Sequence, residues 1–273
     1  MVEDVPMDSP SNEPVIVAVE GGVATITLNV PERKNSLSVE LVNALADRLD
    51  EAIAADDARV IVLTNNGNTF CAGADLSSAS PGLSAGKRTF VDLFKIIQAS
   101  PTPVIGRIDG HATGGGVGLA AACDISVMRN DAKIGFTEVR LGVAPAVISV
   151  VCLPKMRRAD ASELFLTGER FTPDRAAEVG LINRSVEPDD VDSTVDAFVD
   201  KIVRGGPLAL GAAKDLINRV PAMETDEAFT WTAAASAALF QSDEAGEGIG
   251  AFRERRDASW VPADRTTDTP GRA

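Results

Sequence analysis

The chain has 273 residues, 45% hydrophobic and 24% charged, an ordinary globular composition whose length suits one large domain or a domain with a smaller appended element. Asp and Glu total 40 against 26 Lys and Arg, a net charge of -14. Such a surface repels phosphate backbones and argues against nucleic acid as a partner, and a polyanionic cofactor would need a local basic patch working against that field.

Residues 1–13 carry Glu3, Asp4, Asp8 and Glu13 with no Arg and no apolar run, which reads as a flexible tail and as neither a secretory signal nor a transit peptide. Residues 15–19 and 23–28 are β-rich runs split by Gly21-Gly22, a hairpin signal. Ser38 precedes apolar residues at Leu41, Val42, Leu45, Leu49 and Ile53, the spacing of a capped amphipathic helix. Residues 60–64 form a continuous apolar run suited to a strand buried on both faces. A Gly- and Ser-rich loop is expected over 65–86 and a helix over about 87–100, broken by Pro101 and Pro103. A strand over 104–108 leads to a glycine-rich turn at 110–116, a short helix over 117–122, and strands over 124–128 and 133–136. Strands and helices alternate to about residue 185, and beyond Pro188 the chain reads as almost wholly helical, Ala-rich over 231–240. The fold class is α/β, with recurring strand-strand-helix units and a helical C-terminal extension.

Cys71, Cys123 and Cys152 are widely spaced and form no C-x-x-C pair, so they are expected to be reduced and buried, with neither a disulfide framework nor a zinc site. The single histidine, His111, argues against a multi-histidine metal centre. No stretch approaches the length of a membrane span. The expectation is a soluble cytoplasmic protein without a metal.

Two segments are candidates for chemistry. Phe70-Cys71-Ala72-Gly73-Ala74-Asp75-Leu76 follows the buried strand and a polar turn, and Gly110-His111-Ala112-Thr113-Gly114-Gly115-Gly116-Val117-Gly118 follows the next strand. Small residues at strand ends let a ligand approach main-chain N–H groups, and the second loop opens a helix whose N-terminus favours developing negative charge. Two such loops can aim two N–H groups at one oxygen, an oxyanion hole; either loop alone reads more simply as a tight turn. Gly116-x-Gly118-x-x-Ala121 also satisfies the dinucleotide-binding pattern formally, with Glu138 at a plausible distance. Its mid-chain position and the glycines before it count against a dinucleotide-dependent enzyme.

Taken together these segments resemble the enoyl-CoA hydratase/isomerase (crotonase) family. Residues 70–76 look like its F-x-A-G-x-D-[LI] segment, and 110–116 followed by Ala122-Cys123-Asp124-Ile125 like its G-x-x-x-G-G-G…C-D-[IL] segment. Gly135-Phe136-Thr137-Glu138 with Leu141-Gly142 is similar to F-x-x-P-E-x-x-L-G, and Leu166-Thr167-Gly168 through Leu181-Ile182 to the L-T-G…G-L-[VI] run. With Glu247-Gly248 and Ala251-Phe252 the similarity spans roughly residues 15–262 in one order. The resemblance implies a crotonase-like spiral of strand-strand-helix turns over 14–200 and a helical region over 201–273 that mediates trimer contacts, in a homotrimer or dimer of trimers. It implies an acyl-CoA substrate, no cofactor beyond the coenzyme A that substrate carries, and a thioester carbonyl held by the N–H groups of Ala74 and Gly115.

The resemblance also implies that Glu138 is the acid/base. A surface carboxylate is ordinarily only solvated, as Glu163 and Glu169 are expected to be, whereas Phe136, Val139 and Leu141 would desolvate Glu138 and raise its pKa. Hydratases of the family use a second glutamate on the helix after the triple glycine; here that position is Gly118. One carboxylate suffices to move a proton between C2 and C4, which suits an isomerase. Yet the Val143-Ala144-Pro145-Ala146-Val147-Ile148-Ser149 stretch resembles members assigned as hydratases of branched acyl-CoA compounds. Enoyl-CoA hydratase in fatty-acid or branched acyl-CoA metabolism is therefore the first expectation, with an isomerase using Glu138 and a non-catalytic acyl-CoA-binding homologue as alternatives. Substrate or CoA contacts implied by the resemblance are Lys34, Ser36, Leu37, Ala72, Asp75, Leu76 and Arg255, with Asp75 chiefly a loop-shaping acceptor. A structural role is expected for His111.

Overall fold

A computed structural model of the chain describes residues 13–75 and 88–265. Strands β1 (Val15–Glu20) and β2 (Val23–Leu28) form the expected antiparallel hairpin. Alternation along β2 turns Ala24, Ile26 and Leu28 into the core. Helix α1 (Val39–Ala54) starts at the expected cap, where Ser38 Oγ accepts the Leu41 N–H, and buries Leu41, Leu45 and Leu49 at helical spacing. Strand β3 (Val60–Asn65) lies between parallel partners and is buried at every position because both sheet faces are covered, Ile61 and Leu63 turning into the main core and Val60 and Val62 to the opposite face.

From β3 onward each strand-strand-helix unit repeats one step. The first unit is β3, β4 (Thr69–Cys71) and α2 (Phe90–Ala99), the last opened by a capping box between Thr89 and Asp92. The second is β5 (Val104–Ile108), β6 (His111–Thr113) and α3 (Gly115–Ala122), and the third begins with β7 (Ile125–Arg129), β8 (Ile134–Gly135) and α4 (Ala146–Cys152). After α5 (Arg158–Thr167) come β9 (Arg170–Phe171), α6 (Pro173–Glu178) and β10 (Arg184–Val186). Within each unit the first strand joins one sheet and the second joins another. Among the described residues this gives a six-stranded sheet ordered β1-β2-β3-β5-β7-β10 and a four-stranded sheet ordered β4-β6-β8-β9. The chain therefore advances one strand in both sheets per unit, a spiral.

Strands β4 and β6 lie inside segments read from sequence as a loop and a turn. Each is only three residues long, too short for alternation to register; β4 exists through pairing with β6, and β6 through pairing with β4 and β8. They carry the backbone straight to the two glycine segments.

Helix α7 (Val191–Ile202) lays Val191, Val195 and Val199 on the outer face of the larger sheet, against Val60, Val62, Ile105 and Val127. The remaining helices are α8 (Pro207–Arg219), α9 (Thr225–Phe240) and α10 (Asp243–Glu254). One buried side chain bolts α8 to the spiral: Lys214 Nζ lies 2.8 Å from Asp124 Oδ2 and donates to the Ile97 carbonyl at 2.6 Å. Residues beyond α10 return to the hairpin, where Arg59 donates to the carbonyls of Trp260 and Gly205, and a Cβ on Gly22 would stand 2.9 Å from Pro262 Cγ. All three cysteines are free and buried. Among the described residues no helix is long and apolar enough to cross a membrane.

Candidate active site

The two glycine segments end parallel strands, so β4 and β6 deliver them side by side. Gly73 (φ +87) and Gly114 (φ +55, ψ -123) take conformations closed to other residues. They are also in contact: a Cβ on Gly73 would lie 2.8 Å from the Thr113 carbonyl oxygen and 3.0 Å from the Gly115 nitrogen. A Cβ on Gly115 would lie 3.7 Å from the Ala74 nitrogen. The Ala74 and Gly115 amides are thus neighbours, and Gly115 is the first residue of α3, in the turn whose N–H groups have no intrahelical acceptor.

Glu138 reaches this pair from the third unit. It opens a single 3-10 turn (Glu138–Leu141) just after β8. A Cβ on Gly114 would stand 3.3 Å from Glu138 Oε1, so the carboxylate rests over the glycine turn. Its Oε2 is buried without a hydrogen-bond partner among the described residues. Burial raises the Glu138 pKa above the usual carboxylate range, opposed in part by a hydrogen bond from its own backbone. Phe136 is fully buried as expected, but Leu141 is 59% exposed and takes no part in that desolvation.

Residues 34–37 run alongside the first loop. The Ala72 N–H donates to the Lys34 carbonyl and the Leu37 N–H to the Gly73 carbonyl. Leu37 is buried, with its Cδ1 2.8 Å from where a Gly115 Cβ would be. Lys34 is exposed, Ser36 is half-buried, and the Ala72 carbonyl accepts from Thr113 Oγ1. Asp75 takes the Arg33 guanidinium at 2.6 Å. The fold thus gathers Lys34, Ser36, Leu37, Ala72, Ala74, Asp75, Gly115 and Glu138 in one neighbourhood; Leu76 lies outside the described residues. Arg255 stands elsewhere, as the exposed left-handed cap of α10, which packs on α9. Among the described residues no group of three or more His, Cys, Asp or Glu is placed to hold a metal ion. His111 Nδ1 accepts the Lys133 N–H at 2.9 Å, tying β6 to β8.

Gly118 has no spare space around it. A Cβ there would fall 2.5 Å from Ile148 Cγ2 and 2.8 Å from Phe94 Cζ. The volume that a glutamate would need belongs to two buried apolar side chains, one from α2 and one from α4. The dinucleotide pattern fails on the same ground. Gly116 packs on the Cys71 carbonyl, with a Cβ position 2.1 Å from that oxygen, so these glycines serve contact between protein segments and not approach of a phosphate. Sequence reasoning also passed over Asn35. It is fully buried and bonded to the backbone of two neighbouring segments; an Asn among polar loop residues gives no sequence signal of burial.

Comparisons with known proteins show the family to which this fold belongs. The family model described as "Enoyl-CoA hydratase/isomerase" matches residues 18–262. The chain is 30% identical over 248 residues to a short-chain-enoyl-CoA hydratase of Clostridium acetobutylicum, covering 89% of this chain and 95% of that protein. It is 31% identical over 248 residues to an (E)-benzylidenesuccinyl-CoA hydratase of Thauera aromatica, covering 89% and 97%. Among solved structures, an enoyl-CoA hydratase of Mycobacterium smegmatis superposes with a TM-score of 0.83 at 30% identity, over 90% of this chain and 98% of that one. One from Bacillus anthracis gives 0.84 at 28%, over 91% and 99%. With fold, glycine loops and sequence similarity agreeing over nearly the whole described chain, it belongs to the enoyl-CoA hydratase/isomerase family.

Proposed function

We propose that this protein is an enoyl-CoA hydratase that works with one carboxylate. The observation that carries the reading is the half-buried Glu138 carboxylate, its Oε2 sealed without a hydrogen-bond partner among the described residues, lying over the glycine turn that ends at the Gly115 amide. The Ala74 and Gly115 N–H groups donate to the thioester oxygen and stabilise the charge that develops there, an effect worth several kcal/mol in a site shielded from water. Glu138 takes a proton from water as the water oxygen bonds to C3 and the C2=C3 electrons move into the enolate. The same carboxyl group then returns that proton to C2, the carbonyl reforms, and Glu138 is again ionised. No oxidant, metal or second carboxylate enters the balance. Lys34, Ser36, Leu37, Ala72 and Asp75 border the site and contribute substrate contacts. The names of the relatives support a hydratase.

A second reading is favoured by Gly118. Ile148 and Phe94 present an apolar wall where two-glutamate hydratases place a carboxylate, and an apolar wall favours proton movement between C2 and C4 over water addition. The deciding experiment follows crotonyl-CoA and a 3-enoyl thioester in deuterated water with the products resolved. Stoichiometric 3-hydroxyacyl-CoA supports the hydratase. Deuterium at C2 or C4 with double-bond migration and no hydroxy product replaces it by the isomerase, and no turnover of any thioester leaves an acyl-CoA-binding homologue.

The reading includes assembly as a homotrimer or dimer of trimers through the C-terminal helices. Phe229 and Phe240 are exposed there and line a groove of about 820 Å³ between α8, α9 and α10, and Leu208 and Ile217 are exposed elsewhere on α8. Sedimentation equilibrium tests it, and a monomer at micromolar concentration would overturn it.

A further inference from the structure

We propose that Asn35 is a positioning residue for the two amide donors, acting through the segment that supports the Ala74 loop; this rests on the oxyanion reading of Ala74 and Gly115 above. Asn35 is fully buried, and it follows Lys34 in a left-handed pair at φ +49 and +54, a conformation unfavourable to side-chain-bearing residues and tolerated best by Asn. Two such residues in succession persist only where the surroundings hold them.

The side chain supplies that hold. Its Oδ1 accepts the Val30 N–H at 2.8 Å, while Nδ2 donates to the Thr69 carbonyl at 2.8 Å and the Asn66 carbonyl at 3.1 Å. Both amide protons are therefore used, each on a different carbonyl. One buried group fixes residues 30–37 against the turn into β4 and against the first residue of β4 itself. On its other edge the same segment is bonded to the loop, Lys34 through Ala72 and Leu37 through Gly73, one residue before the Ala74 amide. Leu37 then packs on the Gly115 position of the second loop. The path from Asn35 ends at both amides, yet Asn35 is sealed from solvent and so from substrate. It sets where the donors stand without touching the reacting atoms.

The test compares Asn35→Gly, which accepts the left-handed backbone freely and deletes all three side-chain bonds, with Asn35→Asp, which keeps an acceptor for Val30 but sets a carboxylate oxygen against the Thr69 and Asn66 carbonyls, and with Asn35→Ser, which keeps only a shorter hydroxyl. Affinities for butyryl-CoA and its thioether analogue are measured well below each variant's Tm, together with the 13C-edited carbonyl stretch of bound crotonyl-CoA. Wild type should prefer the thioester and shift the band. In Asn35→Gly the preference should fall about tenfold or more and kcat on the order of 10–100-fold, the scale set by misplacing a donor. Thioether affinity should be unchanged, and Asn35→Asp and Asn35→Ser, which also lose the amide donor, should lower the preference as well; if Asn35→Gly does not fold, those two variants carry the same readouts. A lowered Tm with wild-type preference and band in every folded variant would reduce Asn35 to a purely structural residue and overturn the proposal. Absence of any thioester preference in the wild type would instead overturn the oxyanion reading, and this inference with it.

Discussion

Helices α3 and α9 are both rich in alanine, and they meet opposite fates. Seven of the eight residues of α3 are buried, whereas none of the 16 residues of α9 is. Glycine lowers intrinsic helix stability, so α3 is the weaker helix by propensity, but its missing side chains let β4, α2 and α4 close on it. Helix α9 keeps its propensity and exposes Phe229 and Phe240 at 72% and 74%. Alanine content therefore distinguishes the two poorly; what differs is whether neighbours of the same chain can approach, which the glycines of α3 permit. The spiral is completed by its own residues and holds the candidate site, while the C-terminal helices carry apolar surface that this chain leaves uncovered.

The sharpest way to break that contrast is at the bolt between the two regions. Lys214→Ala takes from the half-buried Asp124 its paired cation and leaves only the more distant influence of Lys155, and burial already holds the Asp124 carboxyl above its usual range. The expected loss is about 3–5 kcal/mol in urea denaturation, with hydrogen exchange lost first in α8 to α10. Uniform loss over the whole chain would mean that the two regions unfold as one.

Inside the spiral, Glu138→Gln should lower turnover at least ~100-fold with little change in thioester affinity, since the group that moves the proton is gone while its shape remains. Near wild-type turnover would remove Glu138 from the mechanism. The pH dependence has a defined sign. As a base Glu138 must be ionised in the free enzyme, so wild-type kcat/KM should fall as pH drops through its raised pKa, and that limb should vanish in the variant. Stability runs the other way. The native state binds this proton more tightly than the unfolded chain, so over the interval from the usual glutamate pKa up to the raised one, stability decreases as pH rises. Glu138→Gln should flatten that decrease in pH-dependent denaturation.

Gly118→Ala tests the packing of α3 directly. Its methyl would enter the space of Ile148 and Phe94, and overpacking of this kind costs about 1–3 kcal/mol. Gly118→Glu should cost more and gain no hydratase activity; a gain would show that the wall yields. The smallest effect is expected in α9, where Phe229→Ser should change the stability of the isolated chain by less than about 0.5 kcal/mol, and any larger consequence should appear only in sedimentation.

Much of this was legible in the residues. The hairpin, the Ser38 cap, buried β3 and the short α3 follow from local patterns, and the glycine loops announced the Ala74 and Gly115 neighbourhood. Strands β4 and β6 were not legible, because a three-residue strand is defined by its partner. The absence of a glutamate at Gly118 could be read directly, but not that Ile148 and Phe94, from two other helices, fill its place. Leu141 looked like part of an apolar surround and faces outward, since the single 3-10 turn after β8 does not continue the strand's alternation.

The return of residues 260–262 to the Gly22 turn and Arg59 bears on how the protein is made. Pro262 lies 240 positions after Gly22 (262 − 22). At roughly 5–20 residues per second of synthesis, the first hairpin spends on the order of 10–50 s on the ribosome before the segment that covers its turn exists. The Arg59 guanidinium likewise waits for the Trp260 carbonyl. Nascent chains stalled before residue 260 should therefore expose that turn to protease, and full-length chains should protect it, making closure of the hairpin a late event in biogenesis.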